Sequence, residues 1–407
     1  MKIELVNMLM HFTHDDADAL GCAMVGEYLN ITLNTLQRVV FNAMYMVDKN
    51  VRYFAELCLE VGREEPNIEA VEALSELLYA NKDVYKSFAE NTFELPYLVW
   101  VTDVGISQAT CDALEQLEGY GIKILYVDHH QANKALHQYK KWCYVETTSD
   151  KSMQKAACEY LLKKTIMAPE NFSILRKISP VQMKILQGLI KDISRYDTWN
   201  WKLNPIEPMQ EYHTYALIQL YGSVTEAWKV FRTYLIHRIP KDYYELMGME
   251  GMNFTLYHET LPAFMVLINA YNAIVNAVVD RAVKRYVVVK GYKLVDFGVC
   301  VNPQYEKAKI ALLPKSDSMG VNDVMDYIGN NANVDLVMMM YPDTMSVSFR
   351  CAKNHKIKIN MNKFAGFFGG GGHADAAGAK LEPDKFKMLM DLYYDQYAIQ
   401  HARTTTK

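Results

Sequence analysis

The first third of the chain alternates apolar runs with helical periodicities. Strand-like runs cover 3–12, 38–44, 97–102 and 122–127, and amphipathic helical patterns cover about 17–30, 51–62, 67–92 and 107–118. Such alternation predicts a parallel sheet with helices on both faces. Three of the runs end in the same way. Leu9-Met10-His11-Phe12-Thr13 leads into His14-Asp15-Asp16-Ala17-Asp18. Leu98-Val99-Trp100-Val101-Thr102 leads into Asp103, and Gly121-Ile122-Lys123-Ile124-Leu125-Tyr126-Val127 ends on Asp128-His129-His130. Ligand sites of open α/β sheets lie outside the carboxyl ends of the strands. Packing alone does not call for Asp and His at three such ends.

After Asp150 the pattern turns helical. Ser179-Pro180 is an N-cap and N1 pair that opens a helix to about Ile193. Helical patterns then run from about Glu207 to Lys284. From Tyr286 the period changes again. Tyr286–Val289, Ile310–Leu313 and Val334–Met340 read as strands, and Asp343-Thr344 turns the last of these back into Met345–Arg350. A Gly-rich segment and a final helix over about 383–400 follow. The expected class is α/β, in three parts: a parallel-sheet domain over 1–205, a helical insertion or linker over 206–285, and a smaller α+β domain over 286–402. For 206–285 a dimer interface, an insertion shaping a cleft and a plain spacer all stay open.

Composition narrows the partners. The 407 residues carry 43 basic and 47 acidic side chains, a net charge of -4. That argues against a broad basic footprint for long duplex nucleic acid, and leaves room for a short anionic ligand. The seven Cys are odd in number and have no CxxC spacing, which reads as reduced, mostly buried thiols in a cytoplasmic protein. The longest apolar stretch, Phe264 to Val279, carries Asn269, Asn272 and Asn276 at helical spacing, with Asp280 continuing that polar stripe. A packed helix fits it better than a membrane span.

The polar strand ends suggest a metal centre. In an extended segment His14, Asp16 and Asp18 would share one side. Clustered carboxylates repel one another unless cations neutralise them, and a carboxylate–imidazole set suits Mn²⁺, Fe²⁺, Zn²⁺ or Mg²⁺. Taken singly, these residues have plainer readings. Asp15 or Asp16 could cap a helix, and Asp103 and Asp197 could be turn or cap residues. All four segments nevertheless occur in one chain.

In this order the segments resemble the DHH phosphoesterase family. The resemblance rests on His14-x-Asp16-x-Asp18, Asp103, Asp128-His129-His130 and Asp197-Thr198. Gly370-Gly371-Gly372-His373-Ala374-Asp375-Ala376-Ala377-Gly378 is similar to the GGGHxxAAG signature of the DHH-associated C-terminal domain. Many members place the first His four residues before the first Asp, where this chain has Phe12. The His14 spacing and Tyr196-Asp197-Thr198-Trp199 look more like the oligoribonuclease-like branch.

The resemblance implies two divalent cations, Mn²⁺ foremost, with Asp103 between them. His14 and Asp16 would complete one site; Asp18, His129 and Asp197 would complete the other. Asp128 would orient an imidazole, and His130 would face the substrate. His11 and Asp192 are weaker competitors for ligand roles. Arg350 and His373 would hold a terminal nucleotide. The amides of Gly369–Gly372 and a helix starting at Ala374–Ala377 would form an anion nest. Phe367 and Phe368 read first as packing residues, with base stacking as the alternative.

The implied reaction is phosphodiester hydrolysis by a metal-bridging hydroxide, turning short oligonucleotides into nucleoside 5′-monophosphates. A cyclic dinucleotide and 3′-phosphoadenosine 5′-phosphate are the alternative substrates. A nucleotide-binding regulator without catalysis is the alternative from another class. A processive single-strand exonuclease would want an added basic, aromatic-lined groove.

Overall fold

The computed structural model describes residues 2–33, 36–42, 44–63, 65–79, 92–130, 133, 140–148, 153–165, 180–203, 219–220, 223–231, 262–290, 308–315, 321–352 and 359–404. The chain divides into two compact units, Met1–Ile268 and Asn269–Lys407.

In the first unit β1 (Lys2–Thr13), β2 (Leu36–Phe41), β3 (Thr92–Thr102), β4 (Lys123–Asp128) and β5 (Cys143–Val145) form one sheet, ordered β2-β1-β3-β4-β5. Every pairing in it is parallel. The helices are α1 (Ala17–Leu33), α2 (Met44–Val61), α3 (Ile68–Tyr79), α4 (Gln108–Glu118), α5 (Ala157–Lys164), α6 (Pro180–Asp197), α7 (Asn200–Leu203) and α8 (Val224–Phe231). Strand alternation splits the interior into two cores. Leu98 and Trp100 of β3 pack with Leu20 and Met24 of α1 and with Leu186 and Ile190 of α6. Val99 and Val101 point the other way, into a core with Phe54, Leu74 and Leu114 from α2, α3 and α4.

The chain steps from β1 out to β2, then returns to β3 on the other side of β1. A reversal of this kind opens a crevice at the carboxyl ends of the strands. Register aligns those ends, because Thr13 pairs with Thr102 and Thr102 pairs with Val127. The residues after Thr13 and Thr102 therefore emerge beside the end of β4.

Tertiary pairing moved several boundaries. Strand β3 begins at Thr92, where helix was expected, because Thr92–Pro96 pairs with Lys2–Val6. Phe93 and Leu95 are buried, and the register shifts between Val6 and Leu9, opposite Pro96. A proline offers no N–H to a sheet ladder, so an irregularity there is expected. Helix α3 runs from Ile68 to Tyr79, and residues 80–91 of the expected helix lie outside the described residues. Helix α2 begins at Met44, inside the strand expected over 38–44. Strand β5 was not anticipated; three residues are too short to show a period.

The second unit holds a six-stranded mixed sheet, ordered β10-β11-β9-β8-β7-β6. Its strands are β6 (Val287–Lys290), β7 (Lys309–Pro314), β8 (Leu336–Tyr341), β9 (Ser346–Cys351), β10 (Gly371–Gly372) and β11 (Ala376–Lys380). The expected turn at Asp343-Thr344 joins β8 to β9 as an antiparallel pair. The final helix spans Pro383–Thr404, and its Phe386, Leu389 and Tyr393 pack on the sheet core. In helix Pro262–Val283 the expected polar stripe is borne by Asn269, Asn276 and Asp280, which are exposed, while Tyr271, Val275 and Val278 are buried. No helix among the described residues is long and apolar enough to cross a membrane. The six described cysteines are free thiols.

One glycine sets how closely α1 approaches its neighbours. A Cβ on Gly21 would lie 2.8 Å from Cys158 Cβ and 3.3 Å from Ile190 Cδ1. That contact joins α1 to α5 and α6. Gly21→Val is expected to lower the unfolding free energy by about 1–3 kcal/mol through overpacking, read from urea denaturation. An unchanged midpoint would show that the contact has slack.

Candidate metal centre

The site forms at the three aligned strand ends and the end of α6. His14 follows β1 in a loop, and Asp16 precedes α1. Asp16 is the helix cap: Ala19 N donates to its Oδ1 at 3.0 Å. Asp18 lies in the first turn of α1. The expectation that His14, Asp16 and Asp18 lie on one extended segment is therefore corrected. A loop, a cap and a first helical turn bring them together, and the capping reading of Asp16 holds alongside its place in the cluster.

Two groups of ligand atoms result, each with its atoms within 4.8 Å of one another: His14, Asp16 and Asp103, and Asp18, His129 and Asp197. His14 Nδ1 lies 3.0 Å from Asp16 Oδ2 and 4.0 Å from Asp103 Oδ2. His129 Nε2 lies 3.3 Å from Asp103 Oδ1, 3.6 Å from Asp197 Oδ2 and 3.7 Å from Asp18 Oδ2. Asp103 thus stands between the groups. It holds a left-handed backbone, φ 57°, which Asp tolerates better than most residues. Its amide is anchored on Val127 O at 3.0 Å.

Asp18 has a second duty. Its Oδ2 accepts from Ala157 N at 2.6 Å and its Oδ1 from Cys158 N at 2.8 Å. Ala156, at the N-cap of α5, has no side-chain cap of its own. A carboxylate from another helix therefore satisfies the first amides of α5 and gains from their partial positive charge.

Asp128 faces His130. Its Oδ1 lies 2.7 Å from His130 Nδ1, and Asn133 Nδ2 donates to its Oδ2 at 2.7 Å. Tyr126 OH lies 3.3 Å from the same Oδ2 and donates to Val104 O at 2.8 Å. His130 and Asp128 also come within ligand range of Asp103.

Burial and crowding set the charges. Burial raises Asp103 and Asp197 well above the carboxylate range, and their carboxylate neighbours raise them further. Burial, with Asp16 adding to it, pushes Asp18 up to about 6. Burial acts upward on Asp16 too, but His14 and the Ala19 amide outweigh it and leave Asp16 low. Burial and the charge of His130 bring His129 down to about 4, so its imidazole is neutral, the form that ligates metals. Burial would depress His130 as well, but Asp128 overrides it and raises His130 to about 9.

This donor set fits divalent cations. Four carboxylates and a neutral imidazole share a largely buried space, and Asp103 Oδ2 accepts no hydrogen bond among the described residues. Oxygen and imidazole donors suit hard or borderline cations such as Mg²⁺ and Mn²⁺.

Behind the site runs a hydrogen-bond chain that sequence reasoning missed. Gln37 Nε2 donates to His11 Nδ1 at 3.3 Å, so His11 Nε2 carries the proton toward Thr102 Oγ1 at 2.8 Å. Thr102 Oγ1 donates to Thr13 Oγ1 at 3.0 Å, and Thr13 Oγ1 donates to Thr102 O at 3.2 Å. His11 therefore buttresses the strand ends before His14 and Asp103, and it stands in neither ligand group. Asp192 also lies outside both groups.

In the second unit Arg350, on β9, is buried, and its Nη2 donates to Asn322 Oδ1. The glycine segment departs from expectation. Ala376–Lys380 is a strand, so no helix starts at Ala374–Ala377. Gly370 N donates to Ala365 O, Gly372 N to Asn362 Oδ1 and His373 N to Ala376 O. These amides are used inside the unit, so the expected anion nest does not form. Glycine is required for another reason. A Cβ on Gly370 would lie 2.1 Å from Gly378 O, and Gly372 holds φ 143°. Gly371 pairs with Gly378 in the closing hairpin. Phe368 stacks on Phe349 at 5.8 Å as part of the core, while Phe367 is exposed.

The model of the DHHA1 domain matches residues 310–398. Oligoribonuclease NrnB of Bacillus subtilis (strain 168) is 19% identical over 386 residues, which span 93% of this chain and 74% of that protein. Among solved structures, the pGpG-specific phosphodiesterase PggH from Vibrio cholerae is 10% identical with a TM-score of 0.37, over 96% of this chain and 99% of that one. RecJ in complex with Mn²⁺ from Thermus thermophilus is 14% identical with a TM-score of 0.42, over 96% of this chain and 52% of that one.

The buttress predicts a pH dependence of stability. Burial lowers His11 from 6.5 to about 3. The unfolded chain therefore takes up a proton below about pH 6.5 that the folded chain refuses, and stability falls as pH falls. The wild type should lose about 1.4 kcal/mol more than His11→Gln between pH 7.5 and 5.5. Urea denaturation in EDTA at both values reads this difference; parallel losses would mean that His11 is not held neutral.

Proposed function

We propose that this chain, a DHH-type phosphoesterase with a DHHA1 domain, is a metal-dependent phosphodiesterase that hydrolyses short oligonucleotides to nucleoside 5′-monophosphates. The carrying observation is the pair of ligand groups that flank Asp103. Two divalent cations, Mn²⁺ foremost, would be held by His14, Asp16 and Asp103 on one side and by Asp103, Asp18, His129 and Asp197 on the other. When bound, such ions lower the pKa of a shared water and offset charge developing on phosphorus.

The chain's own groups would supply the rest. His129, neutral in its buried setting, offers Nε2 as a ligand. His130, held as imidazolium by Asp128, would stabilise the anionic phosphoryl group or give its proton to the leaving ribose oxygen. Asn133 holds Asp128, and so fixes the orientation of His130. Arg350 and His373, the latter next to the hairpin that Gly370, Gly371 and Gly372 close, are proposed to hold the substrate's terminal nucleotide. Arg350 is suited to this because its planar fork matches a phosphate. The name of the Bacillus subtilis relative, oligoribonuclease, supports short RNA as the first substrate to test.

The test is turnover of a 5′-labelled RNA ladder, from dinucleotides to chains of roughly twenty-five, with and without Mn²⁺, beside cyclic di-adenylate. Preferential loss of the shortest chains is expected. Faster loss of the cyclic dinucleotide would reassign the substrate, and no hydrolysis of either would sink the enzyme reading in favour of a nucleotide-binding regulator.

Two substitutions separate the roles near the reaction. His130→Ala should lower turnover by about 10²–10⁴-fold, and Asp128→Asn by about 10–100-fold. Both should leave the Mn²⁺-induced rise in melting temperature largely intact. Asp103→Asn should abolish both that rise and turnover. A His130→Ala enzyme at wild-type speed would remove His130 from the chemistry.

A further inference from the structure

The amino-terminal side of the parallel sheet holds a cavity that the metal centre does not use. Its volume is about 250 Å³. It is lined by Trp100 of β3, Lys123 at the start of β4, Lys141 and Trp142 ahead of β5, Tyr144 on β5, and Lys164 at the end of α5. Lys123 and Asp128 occupy opposite ends of β4, so Lys123 and the metal centre are roughly 16 Å apart along that strand.

Its chemistry is one-sided. Lys164 Nζ sits 4.4 Å from the Tyr144 ring centroid, and Lys123 Nζ sits 5.0 Å from that of Tyr97. Glu118 is the one carboxylate among the described lining residues, and it already accepts from Trp142 Nε1 at 3.2 Å. Glu146 lies 3.7 Å from Lys164 Nζ. Lys123 and Lys164 thus sit against tyrosine rings, and Lys141 lines the same cavity. Trp100 is fully buried, and its Nε1 has no hydrogen-bond partner among the described residues.

We propose that this cavity is a second nucleotide site, which takes a base against Trp142 and Tyr144 and a 5′-phosphate on Lys123, Lys141 and Lys164. Aromatic walls tolerate any base, because every base has a π face, and ammonium groups suit phosphate as point charges. The choice of a nucleotide over another aromatic anion rests on the function proposed above; the cavity and its charge do not. A site this far from the metals could sense the mononucleotide product or hold the far end of a strand.

The experiment is 19F NMR of full-length protein labelled with 5-fluorotryptophan, in EDTA, with Trp142→Phe and Trp100→Phe to assign the two signals. The probes are AMP, adenosine, inorganic phosphate and a 5′-phosphorylated trinucleotide. AMP should shift the Trp142 and Trp100 signals saturably, and adenosine or phosphate alone should bind at least about tenfold more weakly. The Lys123→Ala, Lys164→Ala double variant should weaken AMP by about tenfold or more while leaving Mn²⁺-dependent turnover unchanged. A trinucleotide that matches AMP identifies a strand end as the occupant, and one that fails to bind identifies the free mononucleotide. No shift of either signal at millimolar AMP, or a shift that adenosine reproduces or the double variant retains, overturns the proposal. Because the readout needs neither metal nor turnover, failure of the phosphodiesterase reading would leave this result standing.

Discussion

Like charges crowd at one point of this molecule, and much of the first unit's local structure answers the cost. Asp16, Asp18, Asp103 and Asp197 converge where burial alone would neutralise each of them. Isolated buried carboxylates are expensive, and nearby carboxylates add repulsion. The chain offsets part of this with its own amides: the first turn of α1 serves Asp16, and the first amides of α5 serve Asp18. His14 beside Asp16 and His130 near Asp197 offset more. Asp103 remains the least compensated and the most constrained, with a left-handed backbone between two strand ends. Divalent cations would offset the charge that remains.

Adjacent residues in one short segment meet opposite fates. His129 and His130 lie with ring centroids 4.7 Å apart, yet one is driven down to about 4 and the other up to about 9. The difference comes from partners rather than from depth. Asp128 holds the second imidazole at hydrogen-bond distance, while the first faces carboxylates with its lone pair. One dipeptide thereby supplies a neutral donor and a cation.

Sequence made the strand ends legible because each couples a short apolar run to an abrupt polar residue, a pattern read within a dozen positions. The α/β class and the helix opening at Pro180 follow from local signals, whereas the grouping of His14, Asp16, Asp18, Asp103, His129 and Asp197, which lie close together in the structure, was implied by the family resemblance. What escaped depends on contacts distant in the chain. The cap of α5 comes from a residue 139 positions earlier, and the His11–Thr102 contact spans 91 positions. Asn133, which holds Asp128, sits in no recognisable pattern. The start of β3 was hidden for the same reason, since Thr92–Pro96 becomes strand only by pairing with β1.

The glycine-rich stretch in the second unit shows a different separation of cause from appearance. Its glycines are needed where β10 meets β11, because a methyl group at Gly370 would run into the carbonyl of Gly378. The segment is thus a steric fastener for the sheet edge, with most of its amides already spoken for. A chain that preserves this stretch while losing Asp103 or His129 would keep an intact hairpin in the second unit and lose part of the carboxylate–imidazole cluster in the first. Among relatives, the glycine signature can therefore certify that the second unit is folded, and it says nothing of whether the carboxylate–imidazole cluster of the first unit is present.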